Sequence, residues 1–474
     1  MGMILGEGTV QELRESIRGE LVTPSDAHYD EARAVWNGMI DKRPALIVRC
    51  AGAADVLAAV QFARSQDLEV AVRGGGHSLP GFSTSDGGIV VDLSPMKGIR
   101  VDPDATRVVA QAGVTWRELD HETQAFGLAL TGGLVSSTGI AGFALGGGIG
   151  WLMRKYGLTC DNLLAADVVT ADGRLVRADE HENSDLFWGL RGGGGNFGIV
   201  TSFEFGLHRV GPTILAGPIF FPGEQAVQIL RGYRAYTADL PDEMTTLVNL
   251  TTAPSAPFLP ADVHGKKVVA VIGVYAGPPD AGRQLAAGLR ALGTPIADLL
   301  GAMPYTTMQS LLDPLWAPGL RNYFKAGYLQ SLSDEAIDTL VEFHGPSISP
   351  TSEIHVHHFG GAISRVPDDA TAFGDRGAPY LLNIVARWTD HATDDAQIAW
   401  AKDLYAAIEP YSTGGTYVNF MSAGDDRIKA AYGAGRYEQL ARLKERWDPT
   451  NVFRLNQNIR PAGGFRRKPH DGEP

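Results

Sequence analysis

Glycine gathers in three dense clusters in the first half of the chain and then stops clustering. The clusters are the loop Gly74–His77, the stretch Gly132–Gly150 and the stretch Gly192–Gly198. The 474 residues carry 58 glycines, and this concentration marks functional loops and not low complexity. Glycine has no Cβ, so the N–H groups of such a loop can converge on an anion. The first cluster has the clearest setting. Ala45–Cys50 is a short apolar, β-branched run, Ala53–Ser65 has helical spacing, and Glu69–Arg73 again reads as a strand. The loop Arg73–Ser78 (RGGGHS) follows at once. A loop in that place suits a pyrophosphate, and it also suits a plain tight turn; its residues alone leave both open.

The third cluster contains a decoy. Gly193-Gly194-Gly195-Asn196-Phe197-Gly198 matches G-x-G-x-x-G. A dinucleotide crossover needs a strand before that loop and a helix after it. Here the helix-like DLFWGLR precedes and the strand-like Ile199–Phe205 follows, so the order is wrong. Gly88–Leu93 and Arg107–Ala112 read as strands, and Trp116–Phe126 as a helix. Near Pro212 the character changes. Lys267–Tyr275, Asn322–Leu332, Ser352–Phe359 and Pro379–Trp388 read as strands; Ala281–Leu292, Asp334–Phe343 and Asp394–Ile408 read as helices. That is an α+β pattern on an antiparallel sheet. After Gly414 come the strand-like Tyr417–Phe420, a helix around Tyr437–Trp447 and the turn Asp448–Asn451. The division expected is 1–211, 212–410 and 411–474.

Charge narrows the partners. The net charge is −13 with no Lys/Arg block, which argues against nucleic acid and against an anionic membrane surface. No run is long and apolar enough to span a bilayer, and the N-terminus lacks a signal-peptide pattern. Gly6 stands where a myristoylation signal has Ser or Thr. The two cysteines, Cys50 and Cys160, make no disulfide framework, and a reducing cytoplasm fits. The expected form is a monomer or homodimer acting on a small molecule.

Three long motifs occur in order. Val72–Met96 (VRGGGHSLPGFSTSDGGIVVDLSPM), Asp185–Phe205 (DLFWGLRGGGGNFGIVTSFEF) and Asp448–Ile459 (DPTNVFRLNQNI) resemble signatures of the vanillyl-alcohol-oxidase/PCMH superfamily, in its berberine-bridge-enzyme-like branch. The similarity runs from about Arg43 to Pro461. It implies an FAD domain of PCMH type, about 43–211, completed by the C-terminal segment, with a substrate domain inserted between. It implies FAD bonded through its 8α-methyl group to His77. The flavin-binding set it implies adds Arg73, Gly74, Gly75, Gly76, Ser78, Gly81, Thr138, Gly139, Gly142, Gly148, Val200, Asn419, Asn456 and Asn458. Many relatives add a cysteine thioether; matching the family's glycines to Gly146–Gly148 puts Val135 at that place, and Cys160 falls later. The resemblance therefore implies a single attachment, the 6-hydroxynicotine-oxidase type, with Cys160 a small buried hydrophobe. Thr138 and Phe143 fall beside the flavin ring, where oxygen approaches in the family, and the small Thr138 favours an oxidase.

A flavin oxidase needs a group to take a proton from the substrate. On a strand, His355 and His357 share a face, with Glu353 in line. Counted back from Gly360, both histidines fall on the family's acid/base positions. A structural role in a sheet and a metal site are the alternatives, though no further metal ligand can be placed. Relatives carry a tyrosine in Y-x-N-Y where this chain ends in Phe420, which cannot accept a proton. Tyr417 remains a candidate, but on a regular strand it would face away from Phe420. Phe420, Tyr323, Lys325, Asn383 and Arg387 are candidates for the pocket wall. The expected chemistry is oxidation of a small hydroxylated or amine-bearing substrate with O2 as re-oxidant. A dehydrogenase or monooxygenase is the alternative within flavin chemistry, and a flavin-fold binding protein the alternative outside it.

Overall fold

A computed structural model of the chain describes residues 6–345 and 349–464. Met1-Gly2, on which the leader and lipid readings turn, lies outside them. Among the described residues three large sheets organise the fold, beside a two-stranded ribbon of Leu128–Ala129 and His208–Arg209. In the first, strands Leu46–Arg49, Ile89–Asp92 and Val70–Arg73 run parallel, and Glu20–Val22 adds an antiparallel edge. Parallel strands are covered on both faces, which is why Ile89–Asp92 is buried at every residue. Helix Ala53–Ser65 makes the crossover and turns Val56, Ala59, Val60 and Ala63 inward. The second sheet is antiparallel, in the order Ile99–Asp102, Arg107–Gln111, Ile199–Gly206, Leu163–Val169, Leu175–Asp179. Helix Ser184–Leu190 precedes the third glycine cluster and strand Ile199–Gly206 follows it. The G-x-G-x-x-G match is thus in a helix–loop–strand setting. Helix Trp116–Gln124 starts at a capping box, where Thr115 and Glu118 bond reciprocally.

The third sheet is built by the middle of the chain and is antiparallel. From Thr213–Pro222 its order is Lys267–Tyr275, Met244–Thr252, Glu353–His358, Tyr380–Trp388, Arg321–Leu329. One face carries Val248, Leu250, Ile354, Val356, Leu382 and Ile384 under helices Ala226–Thr237, Asp334–His344 and Asp394–Ile408. A fully buried Leu or Ile of that layer contributes about 1.5–3 kcal/mol by burial. The other face carries Leu247, Phe324 and Val385 toward the first two sheets, together with Asn249, His355 and Asn383. Strand Met244–Thr252 is buried throughout, so its mixed polar and apolar residues show no alternation a sequence reading could use.

The C-terminal segment returns to the first two sheets. Leu440, Leu443 and Trp447 of helix Ala434–Trp447 join one core with Leu186, Phe187 and Leu190 of helix Ser184–Leu190. A fully buried ion pair locks the turn that follows: Lys444 Nζ lies 2.6 Å from Asp448 Oδ2. Lys444 also donates to the carbonyls of Asn196 and Phe453, and the Asp448 carboxylate accepts from the N–H groups of Val452 and Phe453. Asn196 in turn accepts from the N–H of Ile459, and Asn456 donates to Gly195 O. The third glycine loop is therefore stitched to the chain's end. Removing one partner of a buried pair strands the other charge, so Asp448→Ala should cost about 3–5 kcal/mol in urea unfolding; a loss under about 1 kcal/mol, the range of an exposed pair, would contradict this reading.

Candidate active site

A cavity of about 310 Å³ lies where the three sheets meet. Strand Val70–Arg73 delivers Gly74, Gly75 and Gly76 to its wall, and the turn before helix Ile140–Leu145 delivers Thr138 and Gly139. The two loops touch backbone to backbone. A Cβ on Gly75 would stand 2.4 Å from Gly139 N, and one on Gly139 would stand 2.4 Å from Gly75 N. Neither position can hold any other residue without moving the opposite loop. Ser78, Gly142, Val200, Asn419 and Asn456 also line the cavity, as do Val135 and Phe143. Ser83 lines it with its hydroxyl buried and unpartnered, and the adjacent Thr84 and Ser85 hydroxyls are buried and unpartnered too. Native proteins rarely leave such groups unmet, so these orphans and the glycine cradle fit a phosphate-bearing cofactor such as FAD.

Four residues of the expected flavin set stand outside the cavity wall. Arg73 is buried beneath the loop, bonded to Ala32 O at 2.5 Å and 4.0 Å from Asp92, with Nε and Nη2 unpartnered. Gly81 holds a positive φ of 73° against Ile40. Gly148 has φ 86° and packs on Thr159, and its N–H donates to Tyr417 Oη at 3.0 Å. Asn458 is not on the wall, and its Oδ1 is buried without a partner.

His77 lies on the wall, its ring stacked on Trp36 at 5.0 Å between centroids. Ser137 Oγ is 3.3 Å from Nε2 and Thr138 Oγ1 is 3.4 Å from Nδ1. Burial lowers its pKa to about 4, against the opposing pull of Asp313. The ring is therefore neutral near pH 7, with a lone pair available for bonding. Cys160 is not on the wall. It sits in the turn Thr159–Asn162 at 0 % exposure, and burial raises its thiol well above the usual range, so thiolate is absent at neutral pH.

The third sheet and the segments beside it close the cavity with His355, Asn383, Phe324, Trp316 and Phe420, while Trp36 packs against the first glycine loop, its backbone N–H donating to Gly76 O. Asn249, His355 and Asn383 face one another in register across three strands. His355 Nε2 is 2.9 Å from Glu353 Oε2, and Arg387 Nη2 is 3.2 Å from Glu353 Oε1. Burial pushes the Glu353 carboxyl up, but Arg387 and the His355 bond outweigh it and hold it at about 2. Arg387 is not on the wall; its guanidinium covers Trp316 at 4.4 Å.

His357 shares the face of His355, 5.8 Å away between ring centroids, but it does not line the cavity. Burial holds its ring well below the usual imidazole range, and its Nε2 is buried without a partner. Among the described residues no cluster of three or more His, Cys, Asp or Glu could hold a metal ion.

Besides Arg387 and His357, which stand off the wall, two further expectations need correction. Tyr323 and Lys325 do not line the cavity. They sit on the helix-covered face, where Lys325 Nζ is 3.0 Å from Asp425 Oδ2 and Lys402 lies over the Tyr323 ring. The segment is a strand, though it ends at Leu329 and not at Leu332, and its phase is the opposite one: Phe324, between them, faces the cavity. The segment Tyr417–Phe420 is not a strand. Val418–Phe420 forms a 3₁₀ turn, which brings residues three apart together. Tyr417 and Phe420 consequently pack edge to face at 5.0 Å, and both line the cavity. The Tyr417 hydroxyl accepts from Gly148 N–H and from Asn419 Nδ2, and burial raises its pKa. Burial thus favours the protonated phenol, which weighs against Tyr417 as the base. Trp36 and Trp316 carry no signal as site residues in the sequence, because they come from distant segments; Glu353 and Arg387 are both candidates there, but their pairing is visible only in the fold.

Residues 44–179 match the family model of the FAD binding domain, and residues 416–460 match that of berberine and berberine like proteins. An FAD-linked oxidoreductase of Dictyostelium discoideum is 31% identical over 95% of this chain and 97% of its own length. The (R)-6-hydroxynicotine oxidase of Paenarthrobacter nicotinovorans is 32% identical over 94% of this chain and 98% of its own. The crystal structure of 6-hydroxy-D-nicotine oxidase from Arthrobacter nicotinovorans superposes with a TM-score of 0.85, at 29% identity, covering 94% of this chain and 98% of that one. With a glycine cradle that fits FAD and kinship along nearly its whole length, the chain belongs to the berberine-bridge-like family of FAD-linked oxidoreductases.

Proposed function

We propose that the protein is an oxidase of small hydroxylated or amine-bearing organic molecules, with its FAD attached through His77 alone. The observation that carries this reading is that His77, from the loop after strand Val70–Arg73, and His355, from strand Glu353–His358, line one cavity. FAD held in this cradle would supply the hydride acceptor, with O2 as its re-oxidant. The chain's residues supply the rest. Gly74, Gly75, Gly76, Ser78, Gly139, Gly142, Val200, Asn419 and Asn456 hold the cofactor, with Arg73, Gly81, Gly148 and Asn458 supporting the loops from behind. The neutral His77 ring offers the nitrogen for the 8α bond, while the buried Cys160 thiol takes no part. His355 takes the substrate's proton, and Asn383 beside it orients the group that carries that proton. Trp36, Trp316, Phe324 and Phe420 exclude water, which strengthens each polar contact inside. In this reading 1–211 and 411–474 form the flavin domain and 212–410 the substrate domain, in a cytoplasmic monomer or homodimer. Among the described residues no helix is long and apolar enough to cross a membrane.

The test is a peroxide-linked screen of aryl alcohols, amines and sugars, followed by stopped-flow mixing of the reduced enzyme with air. Re-oxidation at least as fast as turnover is the expected result. Slow re-oxidation by O2 with rapid transfer to a dye would make the protein a dehydrogenase instead.

A further inference from the structure

We propose that Glu353 is a positioning residue: it fixes His355 as the Nε2–H tautomer and so presents Nδ1, with its lone pair, to the molecule in the cavity. The inference rests on His355 as the proton acceptor and adds how that ring is made ready.

The argument is one of donors and acceptors. An ionised carboxylate only accepts hydrogen bonds, and a guanidinium only donates them. Arg387 Nη2 faces Glu353 Oε1 at 3.2 Å, and Thr251 Oγ1 donates to the same oxygen at 3.4 Å. The other oxygen, Oε2, faces His355 Nε2 at 2.9 Å. The proton of that contact must sit on Nε2, because the carboxylate has none to give. A neutral imidazole carries one N–H, so Nδ1 keeps its lone pair. His355 lines the cavity, and Nδ1 is the ring nitrogen left for a substrate.

Arg387 makes the arrangement hold. Glu353 is 4 % exposed, and a lone carboxyl so buried would take up a proton and then donate. The guanidinium beside it prevents this. Arg387 is itself pinned, with one face 4.4 Å from the Trp316 ring. His357, 5.8 Å from His355, stays neutral by burial and does not compete for the proton. In the reaction the substrate's O–H or N–H bond breaks and its proton goes to Nδ1. The carbon's hydride leaves to FAD, the acceptor already named. The ring becomes an imidazolium, and its existing Nε2–H bond to the Glu353 carboxylate strengthens into a full ion pair as the proton arrives.

Glu353→Gln separates this from a merely structural role. Arg387 still needs an acceptor, so the amide oxygen turns to it and the amide NH2 turns to His355. Nε2 must then accept, and the ring proton moves to Nδ1, the nitrogen that should be empty. An amide behind a histidine base costs about 10⁴-fold where the same tautomer logic operates. The experiment is ¹⁵N NMR of the ring nitrogens in histidine-labelled holoenzyme near neutral pH, with His355 assigned by the signal missing from His355→Gln. The wild type should show a protonated Nε2 and a bare Nδ1, and Glu353→Gln should show the reverse. Flavin reduction by a substrate from the peroxide screen should fall by at least about 10³-fold in that variant. A wild-type ring protonated on Nδ1, or averaging between tautomers, overturns the proposal with no variant needed. So does a Glu353→Gln enzyme that inverts the tautomer yet reduces its flavin at the wild-type rate. If the tautomers behave as stated but His355→Ala keeps full turnover, the assignment of His355 as proton acceptor falls and the hold of Glu353 on the ring stands.

Discussion

His355→Ala should slow flavin reduction by about 10²–10⁴-fold, the usual worth of a general base. Anaerobic stopped-flow of the reductive half-reaction reads this directly, since it excludes the oxygen step. The loss should appear in the limiting rate and not in substrate affinity, because the proton moves only in the transition state. The neighbouring His357 supplies the contrast. Its ring is buried off the cavity wall, so His357→Ala should lower the unfolding midpoint and alter the rate far less. If both variants reduce their flavin at the wild-type rate, the proton leaves the substrate by another route and the assignment fails.

His77→Ala should convert all of the bound flavin from covalent to dissociable. After acid precipitation the variant's pellet should be colourless and its supernatant yellow, whereas the wild-type pellet stays yellow. The native variant should still take up FAD, because the cradle of Gly74–Gly76 against Gly139 does not depend on that bond. Its flavin should be harder to reduce, since an 8α-linked flavin has the higher potential, and substrate turnover should fall with it. Cys160→Ala should match the wild type in this assay, as its thiol is buried away from the cavity and held protonated. Release of part of the flavin from Cys160→Ala would restore a second attachment and contradict the single link.

The glycine clusters were legible because glycine has a local signature. Gly75 and Gly139 are needed where two backbones meet, and no packing arrangement elsewhere changes that. Long amphipathic helices were legible for the same kind of reason. Asp394–Ile408 turns Trp400, Ala401, Leu404 and Ile408 to one side at helical spacing, and its limits coincide with those read from the sequence. Strand phase was not legible. In Arg321–Leu329 both faces are buried, so nothing in the residues says whether Tyr323 or Phe324 looks into the cavity. The turn at Val418–Phe420 was missed because Tyr-Val-Asn-Phe has strand-like composition; the carbonyl of Tyr417 instead accepts from the N–H of Phe420 and tightens the backbone. The closing wall was illegible for a different reason. Trp36 donates to Trp316 O across 280 residues, and a contact of that span has no period to find. The polar pair Glu353–His355 shows the intermediate case: the spacing put both on one face, but only the fold supplied Arg387 to keep the carboxyl charged.

The most direct test of the account is mass mapping of the flavin on the wild-type chain. Holoenzyme is unfolded in acid, digested, and the flavin-bearing peptide sequenced by fragmentation. The account predicts one modified peptide, the one that holds His77, with the mass of a single FAD and the bond on the imidazole. Intact chain without flavin, or flavin on the peptide that holds Cys160, would contradict it.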